Sequence, residues 1–180
     1  MNRKLICAAI AATCCSMTLT ATAAITKDEH KAAIASADAS YKSAKAGCDS
    51  LAGNARDVCK ADAKAEYVRL IAKADAGYKG TPASVFDGQK KIAKADYEVA
   101  KARCDALAGN DKDVCVKEAK AAEVRVLADA KASNKSIDAF ADAGEAKRTA
   151  DYRVAVEKCD TFSGAAKDSC IRDAKATYGK

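Results

Sequence analysis

Three segments of this chain each place two cysteines, separated by ten residues, around a central glycine. They read CDSLAGNARDVC, CDALAGNDKDVC and CDTFSGAAKDSC. Their cysteines are Cys48 and Cys59, Cys104 and Cys115, and Cys159 and Cys170. On an uninterrupted helix two such cysteines would lie about 16 Å apart, whereas the Cα atoms of a disulfide are roughly 4.4–6.8 Å apart. If the two cysteines are bonded, the chain must turn between them.

A turn at the glycine would bring the two cysteines of each segment face to face on antiparallel helices. We therefore predict three local bridges, one of the fifteen complete pairings that six cysteines allow. In the chain-entropy model, closing so short a loop contributes about 3 kcal/mol. That is comparable with burying one large aliphatic side chain, about 1.5–3 kcal/mol.

Each segment belongs to a longer unit that occurs three times at nearly equal intervals. A tyrosine precedes the first cysteine by seven positions in every unit (Tyr41, Tyr97 and Tyr152). The residues before the glycine follow heptad spacing, which is typical of coiled-coil-like helix packing. The predicted fold is all-α, with three repeated disulfide-stapled αα-hairpins that form an elongated helical bundle or array. The tyrosines are expected to pack in the seam between helices.

The boundaries of these hairpins follow from linker-like segments and cap signals. Residues 76–82 and 132–136 are predicted linkers, which gives six helical segments. Hairpin 1 then covers 24–80, hairpin 2 covers 81–135 and hairpin 3 covers 136–180. Thr26 and Glu29 fit a capping box, and Thr81 followed by Pro82 fits a helix start.

Turn chemistry is predicted for the residues between the cysteines. The three glycines are expected to end a helix in the left-handed conformation; they are Gly53, Gly109 and Gly164. Asn54 and Asn110 are predicted N-caps of the helix that follows. An aspartate two positions before each second cysteine is expected to contribute to capping; these are Asp57, Asp113 and Asp168.

The N-terminal segment has the pattern of a secretory signal peptide, predicted as residues 1–23. A basic start (Arg3 and Lys4), an uncharged apolar stretch and small residues up to Ala23 are its three parts. Cleavage would remove three of the nine cysteines and leave an even six in an oxidising compartment. We expect a periplasmic protein without an integral membrane anchor after processing.

Charge and apolar content exclude several classes of protein. The chain has 31 Lys or Arg and 25 Asp or Glu, and after Ala23 the two signs are interleaved. This pattern indicates a solvated helical surface and no nucleic-acid partner. Alanine is the most frequent residue, and Val, Ile, Leu, Met and Phe are scarce after Ala23. A thin, alanine-packed helical fold is therefore expected.

Few residues suit catalysis or metal binding. His30 is the only histidine and is interpreted as an ordinary residue of the first helix. The cysteines lack the spacings of zinc and haem motifs. The sequence therefore predicts a non-enzymatic protein with no catalytic, cofactor or metal site.

The first two cysteine units and the closing segment AKATYGK carry a family resemblance. With their Cys-Asp-x-Leu-x-Gly-Asn spacing, they resemble exported Gram-negative proteins that are loosely labelled TolA-like cell-envelope proteins. The resemblance implies an Ala/Lys/Asp-rich helical protein of the cell envelope and brings no catalytic residues.

The predicted function is that of a periplasmic structural or interaction protein, acting as a spacer, scaffold or stress-related holding protein. Envelope proteins or cell-wall components are its expected partners. Two alternatives stay open at this point. One is a thiol–disulfide redox-responsive protein, and the other is a chaperone that binds unfolded clients between its helices.

Overall fold

A computed structural model describes residues 24–180 of the chain. The predicted signal peptide and its cleavage site lie outside the described residues. Helices cover 89% of the described part, which contains no strand. The five helices are α1 (Lys27–Gly47), α2 (Gly53–Lys79), α3 (Pro82–Cys104), α4 (Gly109–Cys159) and α5 (Gly164–Tyr178). The predicted all-α fold of disulfide-stapled hairpins is confirmed.

The helices form a row in which each packs only on its neighbours. α1 packs on α2, α2 on α3, and α3 on the first half of α4. α5 packs on the second half of α4, and its contacts among the described residues are with that helix alone. Within residues 24–180, α1 touches neither α3 nor α4. Hairpins 1 and 2 thus lie side by side, and hairpin 3 continues beyond them as an extension of α4.

The predicted linker at residues 132–136 is wrong, because α4 runs through it without a break for 51 residues. At 1.5 Å per residue this helix spans about 76 Å. The other linker does break the chain, since Gly80 adopts a φ of +62° and Pro82 follows it. Residues 132–136 contain neither Gly nor Pro, and the Asn134 side chain bonds to Asp138 one turn later. The predicted six helical segments are therefore five.

Two predicted helix starts are confirmed. The Thr26 side chain accepts a hydrogen bond from the Glu29 amide, and the Glu29 carboxylate accepts one from the Thr26 amide. These bonds to Thr26 lower the pKa of Glu29. At α3, the Thr81 side chain caps the Ser84 amide, and Pro82 occupies the first turn.

The core consists almost entirely of alanine and cystine. Val99 is the one large aliphatic side chain that is buried in the described part of the chain. The buried alanines are Ala37, Ala63, Ala65, Ala72, Ala74, Ala93, Ala130 and Ala174. Half-buried tyrosines supplement them in the seam, where the rings of Tyr41 and Tyr67 lie 5.1 Å apart. Small side chains let the helices approach closely but bury little apolar surface.

Helices α2 and α3 approach each other closely at Gly88 of α3. A Cβ atom at this buried glycine would lie 3.2 Å from the Cβ of Ala72 in α2. We expect Gly88→Leu to lower the free energy of unfolding by about 1–3 kcal/mol, because the added side chain overfills the contact. Gly47 is the matched control, since it is helical and a Cβ atom there would have nothing within 4 Å. Chemical denaturation should show Gly47→Leu at least as stable as the parent, because Leu favours a helix more than Gly does. Equal stability of the two variants would contradict this packing.

Candidate functional site

The three disulfides are the most distinctive chemical feature of the described chain. They join Cys48 to Cys59, Cys104 to Cys115 and Cys159 to Cys170, as the spacing predicts. Each bridge has a Cα–Cα distance of 5.7 Å. The first cysteine of every pair is at most 1% exposed, whereas the second is partly exposed. Each bridge therefore closes a hairpin tip with one sulfur shielded from solvent.

The three tips share one backbone geometry. In each, the amide of the third residue after the first cysteine donates to the carbonyl of that cysteine, at 3.0–3.1 Å. The donors are Leu51, Leu107 and Phe162, whose side chains are 41%, 45% and 52% exposed. Gly53, Gly109 and Gly164 follow with φ angles of +54°, +55° and +57°. Their left-handed conformation is as predicted, but each glycine opens the second helix and does not end the first.

The predicted N-caps are wrong. The residue directly before each glycine holds the cap position, and no side chain caps these helices; the residues are Ala52, Ala108 and Ser163. A cap residue needs extended backbone geometry. The glycine is the first residue of the second helix, so Asn54 and Asn110 are already its second residue and lie within the helix. The expected capping aspartates make no hydrogen bond or ion pair within residues 24–180; they are Asp57, Asp113 and Asp168.

The Asn54 side chain has a different role, because it links two hairpins. Its amide nitrogen donates to the carbonyl of Ala102, in the last turn of α3, at 2.6 Å. That carbonyl lies at the end of α3, where its only backbone donor among the described residues is the Asp105 amide, at 3.3 Å. Asn54 therefore fixes the tip of hairpin 1 to the tip of hairpin 2.

Three ion pairs at the tips were missed by the sequence analysis. The aspartate directly after each first cysteine pairs with a lysine of the following helix, at 2.8–3.1 Å. The pairs are Asp49 with Lys60, Asp105 with Lys112, and Asp160 with Lys167. The recurring Cys-Asp dipeptide was the available signal. These partly exposed pairs each contribute on the order of 0–1 kcal/mol.

His30 connects α1 to α2, which the sequence also did not reveal. Its Nε2 lies 2.9 Å from Oδ1 of Asp75, and its ring stacks on Tyr78 with 4.7 Å between centroids. These partners lie 45 or more residues away along the chain. The histidine lies in α1, the first helix, as predicted. Its contacts with α2 help to hold hairpin 1 together.

A cavity of about 700 Å³ lies among the helix ends that are farthest from the tips of hairpins 1 and 2. Its lining includes Ile25, Pro82, Phe86 and Ile137, which come from the segment before α1 and from α3 and α4. The volume is within the range of small-molecule pockets, about 300–1,000 Å³. Four neutral polar side chains also line it, and among them the buried Oδ1 of Asn134 has no hydrogen-bond partner among the described residues; they are Thr81, Gln89, Ser133 and Asn134. The cavity offers apolar contact together with neutral hydrogen-bonding groups and no charged side chain in its lining.

Other kinds of site are not found in the described residues. No group of three or more His, Cys, Asp or Glu side chains in residues 24–180 could hold a metal ion. None of the helices in that part is both long and apolar enough to cross a membrane. No family model, curated protein or solved structure matches the chain.

The bridge of hairpin 3 should matter most to helix content. α5 has 15 residues and, of the helices described, packs on α4 alone, and an isolated helix of this length is marginal in water. We expect Cys159→Ser with Cys170→Ser to cost about 3 kcal/mol and to melt α5. The matched control, Cys104→Ser with Cys115→Ser, should keep its helices because α4 remains packed on α3. Circular dichroism and hydrogen exchange measure the difference. A stable α5 in the first variant would contradict this expectation.

The pKa of Glu145 gives a prediction for low pH. Hydrogen bonds from Lys180 and Arg148 lower it from 4.5 to about 2. The contribution of the ionised Glu145 carboxylate to stability is therefore present above about pH 4.5 and lost as the pH falls towards 2. Lys180→Met should raise the Glu145 pKa towards 4.5, as measured by carboxyl NMR titration. An unchanged pKa would show that Lys180 does not hold this carboxylate.

Proposed function

We propose that this chain is an exported, non-enzymatic structural protein that serves as a spacer or scaffold in the periplasm. The observation that carries the proposal is α4, one continuous helix of 51 residues. It extends about 76 Å and connects hairpin 2 at one end with hairpin 3 at the other. Such a connection suits a protein that holds two contacts apart.

Export is supported by the chemistry of the cysteines and by the sequence of the N-terminal segment. Three disulfides are typical of an oxidising compartment. The signal-like sequence before Ala24 and the resemblance of the cysteine units to TolA-like envelope proteins favour the periplasm. In this proposal the partners are envelope proteins or cell-wall components.

The surface fits an interaction protein better than an enzyme. Charged side chains of both signs cover the helices, and most of the ion pairs are at least partly exposed. Large apolar side chains are exposed at separate positions along α4, including Val124 and Phe140 at 54% and 76%. Side chains of this kind provide apolar anchors within a polar interface.

Photo-crosslinking in intact cells tests the proposal. A photoreactive residue at Phe140 should give discrete adducts with envelope proteins or cell-wall fragments, identified by mass spectrometry. The same residue at Val99, which is 7% exposed, is the matched control and should give none. Equal labelling at the two positions, or recovery of the chain from the cytoplasm, would refute a periplasmic scaffold.

A holding chaperone is the second candidate, favoured by the exposed apolar side chains at the three tips. Leu51, Leu107 and Phe162 are 41–52% exposed. In that case the purified protein would suppress aggregation of a diluted, denatured client, and changing these three side chains to Ser would abolish the effect.

A thiol–disulfide role has less support, because one sulfur of every bridge is buried. Its test is the reduction potential, which for structural bridges lies below about −300 mV.

A further inference from the structure

Hairpin 2 docks on hairpin 1 through a defined set of contacts between α3 and α2. Arg69 pairs with Asp96 at 2.6 Å, and Arg103 pairs with Asp62 at 3.1 Å. The hydrogen bond from Asn54 to Ala102 joins their tips. Between these polar contacts, Ala65, Ala72, Gly88 and Val99 are buried. This set of contacts is called the hairpin interface below.

The charged members of the hairpin interface recur one unit later in the sequence. When the units are aligned on their cysteines, α2 corresponds to the first half of α4 and α3 to its second half. Arg69 and Asp96 then correspond to Arg125 and Asp151, while Asp62 and Arg103 correspond to Glu118 and Lys158. The charge signs are the same in both sets. Arg125, Asp151, Glu118 and Lys158 form no ion pair within residues 24–180.

The apolar members recur as well, but on an uncovered surface. Val99 is 7% exposed, whereas its counterpart Val154 is 55% exposed. Ala72 is 4% exposed, whereas its counterpart Ala128 is exposed. Ala143, the counterpart of the buried Gly88, is also exposed. Hairpin 3 therefore carries, on the second half of α4, a face like the one by which α3 docks on α2. Hairpin 2 carries, on the first half of α4, a face like the one that α2 offers to α3.

The asparagine that follows the turn glycine also recurs from hairpin 1 to hairpin 2. Asn54 reaches from hairpin 1 to the next hairpin, and Asn110 stands at the same place in hairpin 2. The side chain of Asn110 has no hydrogen-bond partner in the described part of the chain. Hairpin 3 has Ala165 there. The asparagine is thus present in hairpins 1 and 2 and is replaced by alanine in hairpin 3.

The straight course of α4 prevents hairpin 3 from reaching hairpin 2 of its own chain. At 100° per residue, both faces lie on one side of α4, the apolar members within an arc of about 80° and the charged members within about 140° of the same edge. Ala121 and Ala128 belong to the first half of this side, and Ala143 and Val154 to the second. The buried Ala130 and Cys159 lie on the opposite side, towards α3 and α5. A second α4 running antiparallel would cover both faces together.

We propose that two copies of this chain exchange their third hairpins, so that hairpin 3 of each copy docks on hairpin 2 of the other. The two α4 helices then run antiparallel and cross between Lys135 and Ser136. Ala128 of one copy faces the partner subunit's Ala143, as Ala72 faces Gly88. Arg125 pairs with the partner subunit's Asp151, and Glu118 with the partner subunit's Lys158, twice per dimer.

Two details distinguish the proposed contact from the hairpin interface. Ala143 replaces Gly88, so the helices must separate by a few tenths of an ångström at this point, given the 3.2 Å approach that a Cβ at Gly88 would make. The long contact of Lys91 with Asp75, at 3.9 Å, has no counterpart, because Ala146 and Lys131 occupy those positions. The two shorter ion pairs are the ones whose charges recur.

Charge reversal tests the exchange in the full exported chain. An acidic variant carries Arg125→Glu and Lys158→Glu, and a basic variant carries Glu118→Lys and Asp151→Lys. Light scattering should show a dimer for the parent and at least about tenfold weaker dimerisation for each variant alone, because four exposed pairs become repulsive. An equimolar mixture should dimerise again, because every pair is attractive between an acidic and a basic chain. Lys31→Glu with Lys42→Glu, an equal charge change on α1, should leave the dimer intact.

Several results would overturn the proposal. They are a monomeric parent at micromolar concentration, a mixture that stays monomeric although both variants keep their helical spectrum, and variants that dimerise as the parent does. If a charge variant does not fold, disulfide formation in the parent chain carrying Ala128→Cys with Ala143→Cys tests the proposed contact instead. We expect a covalent dimer joined by two bonds between chains. A bond within one chain would mean that hairpin 3 folds back on its own hairpin 2.

Discussion

The disulfide at each hairpin tip is the interaction on which this fold depends. Alanine-lined helices pack closely but gain little from burial, and Val99 is the one large aliphatic side chain buried in residues 24–180. A bridge that contributes about 3 kcal/mol equals or exceeds the burial of such a side chain, about 1.5–3 kcal/mol. The bridge also fixes the register of two helices whose surfaces are otherwise uniform.

Much of the fold could be predicted from local patterns. The cysteine spacing required a turn, and heptad spacing with few apolar residues required helices. Thr26 and Thr81 marked helix starts correctly, because cap geometry depends on neighbouring residues alone. Residues 132–136 were misjudged since Ser, Asn and Lys favour loops but do not forbid a helix, as Gly80 and Pro82 together do. The packing of α3 on the half of α4 before that segment, and of α5 on the half after it, supports a continuous helix.

The roles of individual site residues were harder to predict. The shift of the cap from Asn54 to Ala52 results from a left-handed glycine that belongs to the second helix. The partners of Asn54 and His30 lie 48 and 45 residues away, so no local pattern could identify them. Once the fold had placed α2 beside α3, the same sequence could be compared unit by unit. That comparison separates residues that support a hairpin from residues that join one hairpin to the next.

The local pairing of the cysteines also determines how the chain responds to mechanical load. A force that pulls on the two ends can unravel the helices, but it cannot extend the ten residues enclosed by each bridge. Each closed loop withholds about 35 Å of contour length, and the three together withhold about 100 Å. The fully stretched oxidised chain would therefore be about 100 Å shorter than the reduced chain. The maximum reach of the protein would depend on whether the surroundings are oxidising or reducing.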